Sequence, residues 1–379
     1  MCVGGGSGGH ITPVVAVIKE LLREVPNAEI RFVCDRKFAS VARELMPTGV
    51  RVSIVVSGKL RRYSNMKWYW HFEHIFRTHL RNVIDLFKVG IGLVQSLFKL
   101  IIWRPNVIFA KGGFVCLPVG LAASILRIPL VIHDSDTTPG LTNRILARFA
   151  RAIGTGAPVE NYPTYPKNRT HYVGIPLRPE FHILSTTEKM QGKKRFGFAP
   201  DRNLIVALGG GQGARTINDT VIRLTPWLNE KAQILVIAGK DDYQRAEAAN
   251  QNPNLKVMPF VTDNLAELIG SADAVVSRAG ATFLAELAAV AAPVILVPSP
   301  HLAGNHQMKN AAVYARKKAA IVVDEREFGD EARSLLNAIN ELLSNDKLRA
   351  ELSRNLHKFS KPNATRDIAK LILEEAQRV

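Results

Sequence analysis

The sequence predicts an α/β protein of two doubly wound, Rossmann-like domains whose parallel sheets face a cleft. Three observations carry this. Strand-like and helix-like runs alternate along the 379-residue chain. A glycine-rich loop, Gly4-Gly5-Gly6-Ser7-Gly8-Gly9-His10, stands near the start. A second, Gly209-Gly210-Gly211-Gln212-Gly213-Ala214-Arg215, opens the later half. Each loop lies between an apolar strand-like run and a helix-like run, which is how α/β proteins receive phosphates. Missing side chains let backbone N–H groups approach the oxygens, and the helix N-terminus adds partial positive charge.

Only Met1-Cys2-Val3 precede the first loop, so the first strand is short or begins upstream. Apolar periodicity predicts helices over 13–23 and 36–45 and strands over 29–35 and 50–56. After a basic segment come strands at 107–110 and 129–133 and helices at 118–126 and 141–150. Pro158, Pro163, Pro166, Pro176 and Pro179 then punctuate a stretch without helical pattern, which reads as a linker. Strands resume at 204–208, 233–238, 255–258, 274–277, 294–297 and 320–323, with helices between them. Such alternation implies parallel strands covered by helices on both faces.

A hydrophobic content of 47% suffices for two cores, and 22% charge without low-complexity tracts argues against disorder. Three scattered cysteines, Cys2, Cys34 and Cys116, point to a reducing compartment and away from a disulfide framework or zinc site. Nothing at the start reads as a signal peptide. The net charge of +17 favours anionic partners: nucleic acid, phosphorylated small molecules or an acidic membrane surface.

Between Lys59 and Arg104, nine Lys/Arg face two acids, interleaved with aromatics such as Tyr63, Trp68, Trp70, Phe87 and Trp103. No recognised nucleic-acid module is visible there, and no nucleic-acid partner is expected. Residues 83–103 resemble a membrane span, but Asp85, Lys88, Gln95 and Lys99 interrupt it, and charges at a helix centre are costly in lipid. With Gly92, these residues recur at helical spacing and leave a broad apolar face. The helix is either a buried core element or an interfacial patch on anionic lipid. The basic and aromatic mixture over 59–81 favours the membrane.

Several motifs carry chemistry. Gly4-x-Gly6-x-x-Gly9 with Asp35 formally matches a dinucleotide fingerprint, but five glycines in six residues satisfy many patterns. His10 follows the loop as either a helix-terminal hydrogen-bonding group or a base able to take a hydroxyl proton near neutral pH. In the segment 277–286, a strand ends at Ser277 and Gly280 turns into a helix whose first N–H groups are free. Ala281, Thr282, Phe283, Leu284 and Ala285 form its first turns. Glu286 either offsets the helix dipole or accepts two ribose hydroxyl protons. Gln307 and Asn310, three apart, share a helix face and either cap it or bond sugar hydroxyls. Asp134-Ser135-Asp136 spells the Asp-x-Asp of metal-dependent transferases of another fold. That match reads as coincidence, and neither a metal nor another cofactor is expected.

Taken together, these residues resemble the MurG family, UDP-N-acetylglucosamine:lipid-linked N-acetylmuramoyl-peptide N-acetylglucosaminyltransferases of GT-B fold. The likeness covers nearly the whole chain. It is carried by the 5–10 loop, Gly112-Gly113-Phe114, His133-Asp134-x-Asp136, Pro139-Gly140-Leu141-Thr142-Asn143, Gly174-x-Pro176-x-Arg178, the 209–214 loop, Phe260-Val261, 278–286 and 305–311. The set is specific in order and spacing.

The resemblance implies an acceptor and membrane-facing domain over 1–178, a UDP-sugar domain over 179–362, and a last helix, 363–378, packed back on the first domain. In the UDP-sugar domain it assigns uracil to the Val261 backbone and ribose to Glu286. Arg178 and the loop Gly211-Gln212-Gly213 would approach the diphosphate, residues 281–285 would line the site, and Gln307 would grip the transferred sugar. In the acceptor domain, Ser7, Gly8 and Gly9 would face a diphosphate and His10 would be the general base. Asp136 stands where many relatives carry Asn, which adds charge beside sugar and phosphates and makes Asp136 a competitor for the base role. Gly211 and Phe283 also replace a usual Ser and Thr.

The implied reaction is inverting transfer to the C4 hydroxyl of lipid-linked N-acetylmuramoyl-pentapeptide (lipid I to lipid II) in peptidoglycan synthesis, for cell-wall growth, shape and division. The implied location is peripheral, on anionic lipid at the cytoplasmic face of the cell membrane, with other cell-wall synthesis proteins as partners. Another GT-B UDP-sugar transferase, a UDP-sugar epimerase, or a non-catalytic binding protein are the rival readings.

Overall fold

The computed structural model describes residues 1–5, 8–59, 72–209, 213–261, 263–301, 305–329 and 331–378, the side chains of 8–10 and 72–79 excepted. The chain divides into two compact units, Met1–Arg178 with Pro362–Val379, and Pro179–Lys361.

The first unit runs β1 (Cys2–Val3), α1 (Gly8–Glu24), β2 (Arg31–Cys34), α2 (Ala39–Leu45), β3 (Arg51–Ile54), α3 (Phe72–Ile102), β4 (Ile108–Ala110), α4 (Cys116–Ile125), β5 (Leu130–Asp134), α5 (Leu141–Leu146), β6 (Ala152–Thr155) and β7 (Thr170–Tyr172). All strand pairs are parallel, in the order β3-β2-β1-β4-β5-β6-β7. Alternate strand residues feed two cores, as the pleat requires. Val3, Val33, Ile108, Ala110, Leu130 and Ile132 pack with α4 and α5 on one face. Cys2, Phe32, Phe109 and Val131 pack on the other, with Ile11, Val14 and Ile18 of α1. The last helix, α14 (Ala364–Gln377), adds Ile368, Ala369 and Ile372 to this second core.

Three sequence expectations change here. β1 is only two residues long, yet it pairs with both β2 and β4. The linker reading fails at Thr170–Tyr172, which forms the edge strand beside β6. Three residues are too few to show alternation, and the prolines before them set short 3-10 turns at Val159–Asn161 and Lys167–Arg169. Helix α1 begins five residues before Pro13, so Gly8, Gly9 and the His10 backbone form its first turn.

The buried-core reading of 83–103 also fails. Asp85, Val89, Gly92, Ser96 and Leu100 face inward, while Leu86, Phe87, Ile91, Val94, Phe98, Ile101 and Ile102 are exposed. Small residues set which face docks. A methyl at Gly92 would collide with the Val56 carbonyl oxygen, and one at Gly58 with the Asp85 backbone, so chain segments meet there without side chains between them. Gln95 accepts the Val56 N–H at 3.0 Å, and the Ser96 hydroxyl donates to Gly92 O at 2.6 Å. The docked face of α3 thus mixes Asp85, Gly92, Gln95 and Ser96 with Val89, Leu93, Leu97 and Leu100, and a second, apolar face is left outward. Among the described residues no helix is long and apolar enough to cross a membrane.

The second unit runs α6 (Thr186–Arg195), β8 (Asn203–Leu208), α7 (Arg215–Leu228), β9 (Ala232–Ile237), α8 (Tyr243–Ala249), β10 (Leu255–Met258), α9 (Leu265–Gly270), β11 (Ala274–Ser277), α10 (Ala281–Ala289), β12 (Val294–Leu296), α11 (His306–Arg316), β13 (Ile321–Val322), α12 (Arg333–Ser344) and α13 (Asp346–His357). Its parallel sheet has the order β10-β9-β8-β11-β12-β13. The strand order therefore reverses between β1 and β4 in one unit and between β8 and β11 in the other. Both glycine loops leave their strands at such a reversal, where doubly wound sheets open a crevice for ligands.

Candidate functional site

In the first unit, the loops after β1, β4 and β5 gather chemistry at the carboxyl end of the sheet. Gly5 lies against β2, and a methyl on it would sit 2.6 Å from the Asp35 carboxylate. Gly112 and Gly113 adopt φ values of +103° and +86°, a turn that glycine makes without strain. Lys111, the residue between β4 and that turn, is fully buried, and its ammonium donates to the Ser135 hydroxyl. Burial lowers its pKa to about 8, against the pull of the Asp134 and Asp136 charges.

Asp134 ends β5 and is itself buried. It accepts the Tyr165 hydroxyl at 2.8 Å and the Gly140 N–H at 3.1 Å. Burial first, then the neighbouring Asp136 charge, pushes its pKa up to about 6. The Tyr162 hydroxyl donates to Asp136 O at 2.6 Å, and Tyr162 stacks on Tyr165 with centroids 5.4 Å apart. His133 meets Gly174 O at 2.7 Å, and the Asn143 amide donates to His133 O at 2.9 Å. Asp136 itself is half-exposed. Among the described residues no cluster of three His, Cys, Asp or Glu could hold a metal.

In the second unit, Gly209 and Gly213 fold tightly on Ala214 and Ala238, leaving no room for a Cβ at either. Ala214 precedes α7, so the loop ends on a helix N-terminus. Asn218 in that helix is buried and donates to Ala238 O at 2.9 Å and to Asp242 at 2.7 Å, tying α7 to the end of β9. The Arg245 guanidinium grips Asp242 and holds its carboxyl below the usual range. Beyond β11, Arg278 lies 2.7 Å from the Glu325 carboxylate and donates to Val297 O at 3.0 Å. This fixes the turn that launches α10 from Gly280.

Ala281, Thr282, Phe283, Ala285 and Glu286 are partly exposed on α10. Leu284 is 1% exposed, and its N–H is bonded to Gly280 O, so its side chain packs in the core. Asn310 is 1% exposed, and its amide donates to Ala279 O at 3.0 Å, which fastens α11 to the β11–α10 turn. Gln307 is half-exposed and accepts the Ser299 N–H at 2.9 Å. Val261 follows β10 and is nearly buried. Arg178, partly exposed, ends the first unit. Ser7, Gly211 and Gln212 lie outside the described residues, as does the His10 side chain.

Lys111 and Tyr165 escaped the sequence reading. Lys111 had a visible signal: a cation between an all-apolar strand and Gly-Gly. Tyr165 had none, because nothing local ties it to Asp134, 31 positions away.

Residues 1–155 match the glycosyltransferase family 28 N-terminal domain, and residues 204–372 match the glycosyltransferase family 28 C-terminal domain. The UDP-N-acetylglucosamine–N-acetylmuramyl-(pentapeptide) pyrophosphoryl-undecaprenol N-acetylglucosamine transferase of Thermoanaerobacter sp. (strain X514) is 34% identical, with 97% of each chain covered. The crystal structure of Acinetobacter baumannii MurG superposes with a TM-score of 0.72 at 22% identity, covering 99% of this chain and 98% of that one. The UDP-GlcNAc 2-epimerase of Neisseria meningitidis shares the fold at a TM-score of 0.66 and 12% identity, covering 98% of this chain and 99% of that one.

Proposed function

The chain belongs to glycosyltransferase family 28 and within it to the MurG family, and we propose that it carries out that family's transfer. N-acetylglucosamine moves from UDP-N-acetylglucosamine to the C4 hydroxyl of a polyprenyl-diphosphate-linked N-acetylmuramoyl-pentapeptide, with inversion at the anomeric carbon. The observation that carries this reading is the 34% identity over 97% of both chains, with a glycine loop at each sheet reversal.

The second unit holds the donor. Glu286 accepts the ribose hydroxyls, the Val261 backbone meets uracil, and Gln307 holds the sugar. N–H groups of the 209–213 loop and of α7, with Arg178, stabilise the diphosphate as it departs. The first unit presents the acceptor. His10 takes the proton of the attacking hydroxyl, and Asp136 lies beside that hydroxyl as a hydrogen-bond acceptor. The outward apolar face of α3 rests at the headgroup boundary of an anionic membrane, making the enzyme peripheral on the cytoplasmic face. Other cell-wall synthesis proteins are its expected neighbours.

UDP release from purified protein tests the reading. Release requires both UDP-N-acetylglucosamine and the lipid-linked acceptor. Conversion of the donor without acceptor would instead support an epimerase, and binding without turnover a non-catalytic protein.

A further inference from the structure

We propose that Tyr162 is a positioning residue for the acceptor site, acting through the Asp136 backbone, with Tyr165 as its buttress. The proposal rests on the reading of Asp136 as a group beside the acceptor hydroxyl.

The loop from Asp134 to Gly140 carries Asp136 from the end of β5 to the start of α5. It belongs to no sheet ladder or helix, so its shape depends on what grips it from outside. The grips fall on successive residues. The Asp134 carboxylate accepts the Gly140 N–H at 3.1 Å and the Tyr165 hydroxyl at 2.8 Å, which closes the loop end to end. Gly156 lies flat against the next residue, and a methyl on it would sit 2.8 Å from the Ser135 carbonyl oxygen. At Asp136 the Tyr162 hydroxyl donates to the carbonyl oxygen at 2.6 Å.

Both tyrosines come from one short stretch. The 3-10 turn Val159–Asn161 runs into Tyr162, whose N–H bonds Val159 O, and the Tyr165 N–H bonds Tyr162 O at 3.0 Å. Bonds of this i, i+3 kind bring residues three apart onto one side of the chain, and the two rings stack 13° from parallel. Tyr162 is 1% and Tyr165 4% exposed, and both rings pack in the core shared with α4 and α5. Burial first, then the Asp134 charge, pushes both phenols up, so each keeps the proton it donates. A phenylalanine would fill the same space with no buried hydroxyl to satisfy. Here both hydroxyls are spent on the loop that carries Asp136. A packed, stacked ring cannot tilt freely, so the Tyr162 bond fixes the backbone point from which the Asp136 side chain starts.

A cycle of Tyr162→Phe, Asp136→Ala and the two combined tests this. Tyr162→Phe keeps the ring and its stacking and removes one hydroxyl. It is expected to lower kcat/KM for the lipid-linked acceptor by about tenfold, while the KM for UDP-N-acetylglucosamine stays at the wild-type value because the donor loops belong to the other unit. On the Asp136→Ala background the same change should cost less than about twofold, since no carboxylate is left to place. A hydroxyl that serves stability alone would lower the thermal midpoint and leave acceptor kinetics at wild type, or lower activity equally on both backgrounds. Either result would overturn the proposal. Should Tyr162→Phe fold poorly, Tyr165→Phe takes its place in the same cycle with the same expected pattern. Wild-type acceptor kinetics in Asp136→Ala would overturn the reading of Asp136 and the proposal with it. A defective Asp136→Ala beside a wild-type Tyr162→Phe would overturn the proposal and leave that reading standing.

Discussion

Replacing Phe87 and Phe98 by serine strips the outward face of α3 without touching its docked stripe. The two rings are 72% and 64% exposed, so their removal loosens no core. Fully burying a phenylalanine is worth about 1.5–3 kcal/mol, and the exposed fractions of this pair together hold about 2–4 kcal/mol of transfer free energy. If α3 seats its apolar face in the headgroup boundary, Phe87→Ser/Phe98→Ser weakens vesicle binding by about 30- to 900-fold. Sedimentation with anionic vesicles measures this, and circular dichroism and the thermal midpoint should stay at wild-type values. Because the lost contribution is apolar, the defect persists at high salt. Replacing Arg61, Arg62 and Lys67 by Glu should weaken binding mainly at low salt, where surface charge is least screened. Vesicle binding unchanged in the phenylalanine pair would refute the reasoning, because the exposed apolar face of α3 would then be no more than a tolerated surface.

Three further outcomes are expected. His10→Ala lowers kcat by about 100- to 10,000-fold with donor affinity unchanged, measured by turnover and by UDP-N-acetylglucosamine titration; unchanged kcat would hand the base role to Asp136. Glu286→Ala raises the donor KM by about 10- to 100-fold through lost charge-assisted bonds to ribose, and an unaltered KM contradicts the ribose assignment. Asp134 titrates near pH 6 in the folded protein against 3.8 for a free side chain, so the folded state holds a proton the unfolded chain has released. Its stabilising contribution is full below pH 3.8 and is lost as pH rises through 6. Asp134→Asn should therefore flatten the pH dependence of the urea midpoint between pH 4 and 6.5, and an unchanged slope would count against that titration.

Much of the fold was legible because buried parallel strands are short apolar runs and glycines mark their exits. The strands at Leu255–Met258 and Ala274–Ser277 fell where the apolar runs said. β7 did not, because one buried residue in three gives no period. The polarity of α3 was legible as a pattern but not as a direction. Which stripe faces inward depends on Gly92 and Gly58 admitting backbone, and that is decided by the neighbouring chain segment. Glu286 and Gln307 stand out in the sequence because a carboxylate and an amide lie early in helices that follow strands. Asn310 reads the same way in sequence, and its bond to Ala279 O is visible only in the packing. Lys111 showed in the sequence as a cation between an apolar strand and Gly-Gly, but its bond to Ser135 did not, because that partner lies in the turn after β5.

Incubating the purified protein with radiolabelled UDP-N-acetylglucosamine and the lipid-linked acceptor, then following label into the organic phase, tests the transfer most directly. One label should enter the lipid for each UDP released, and the new anomeric proton should show the large coupling of a β linkage. Label that stays in the aqueous phase, as free sugar or as an epimer of the donor, would contradict it.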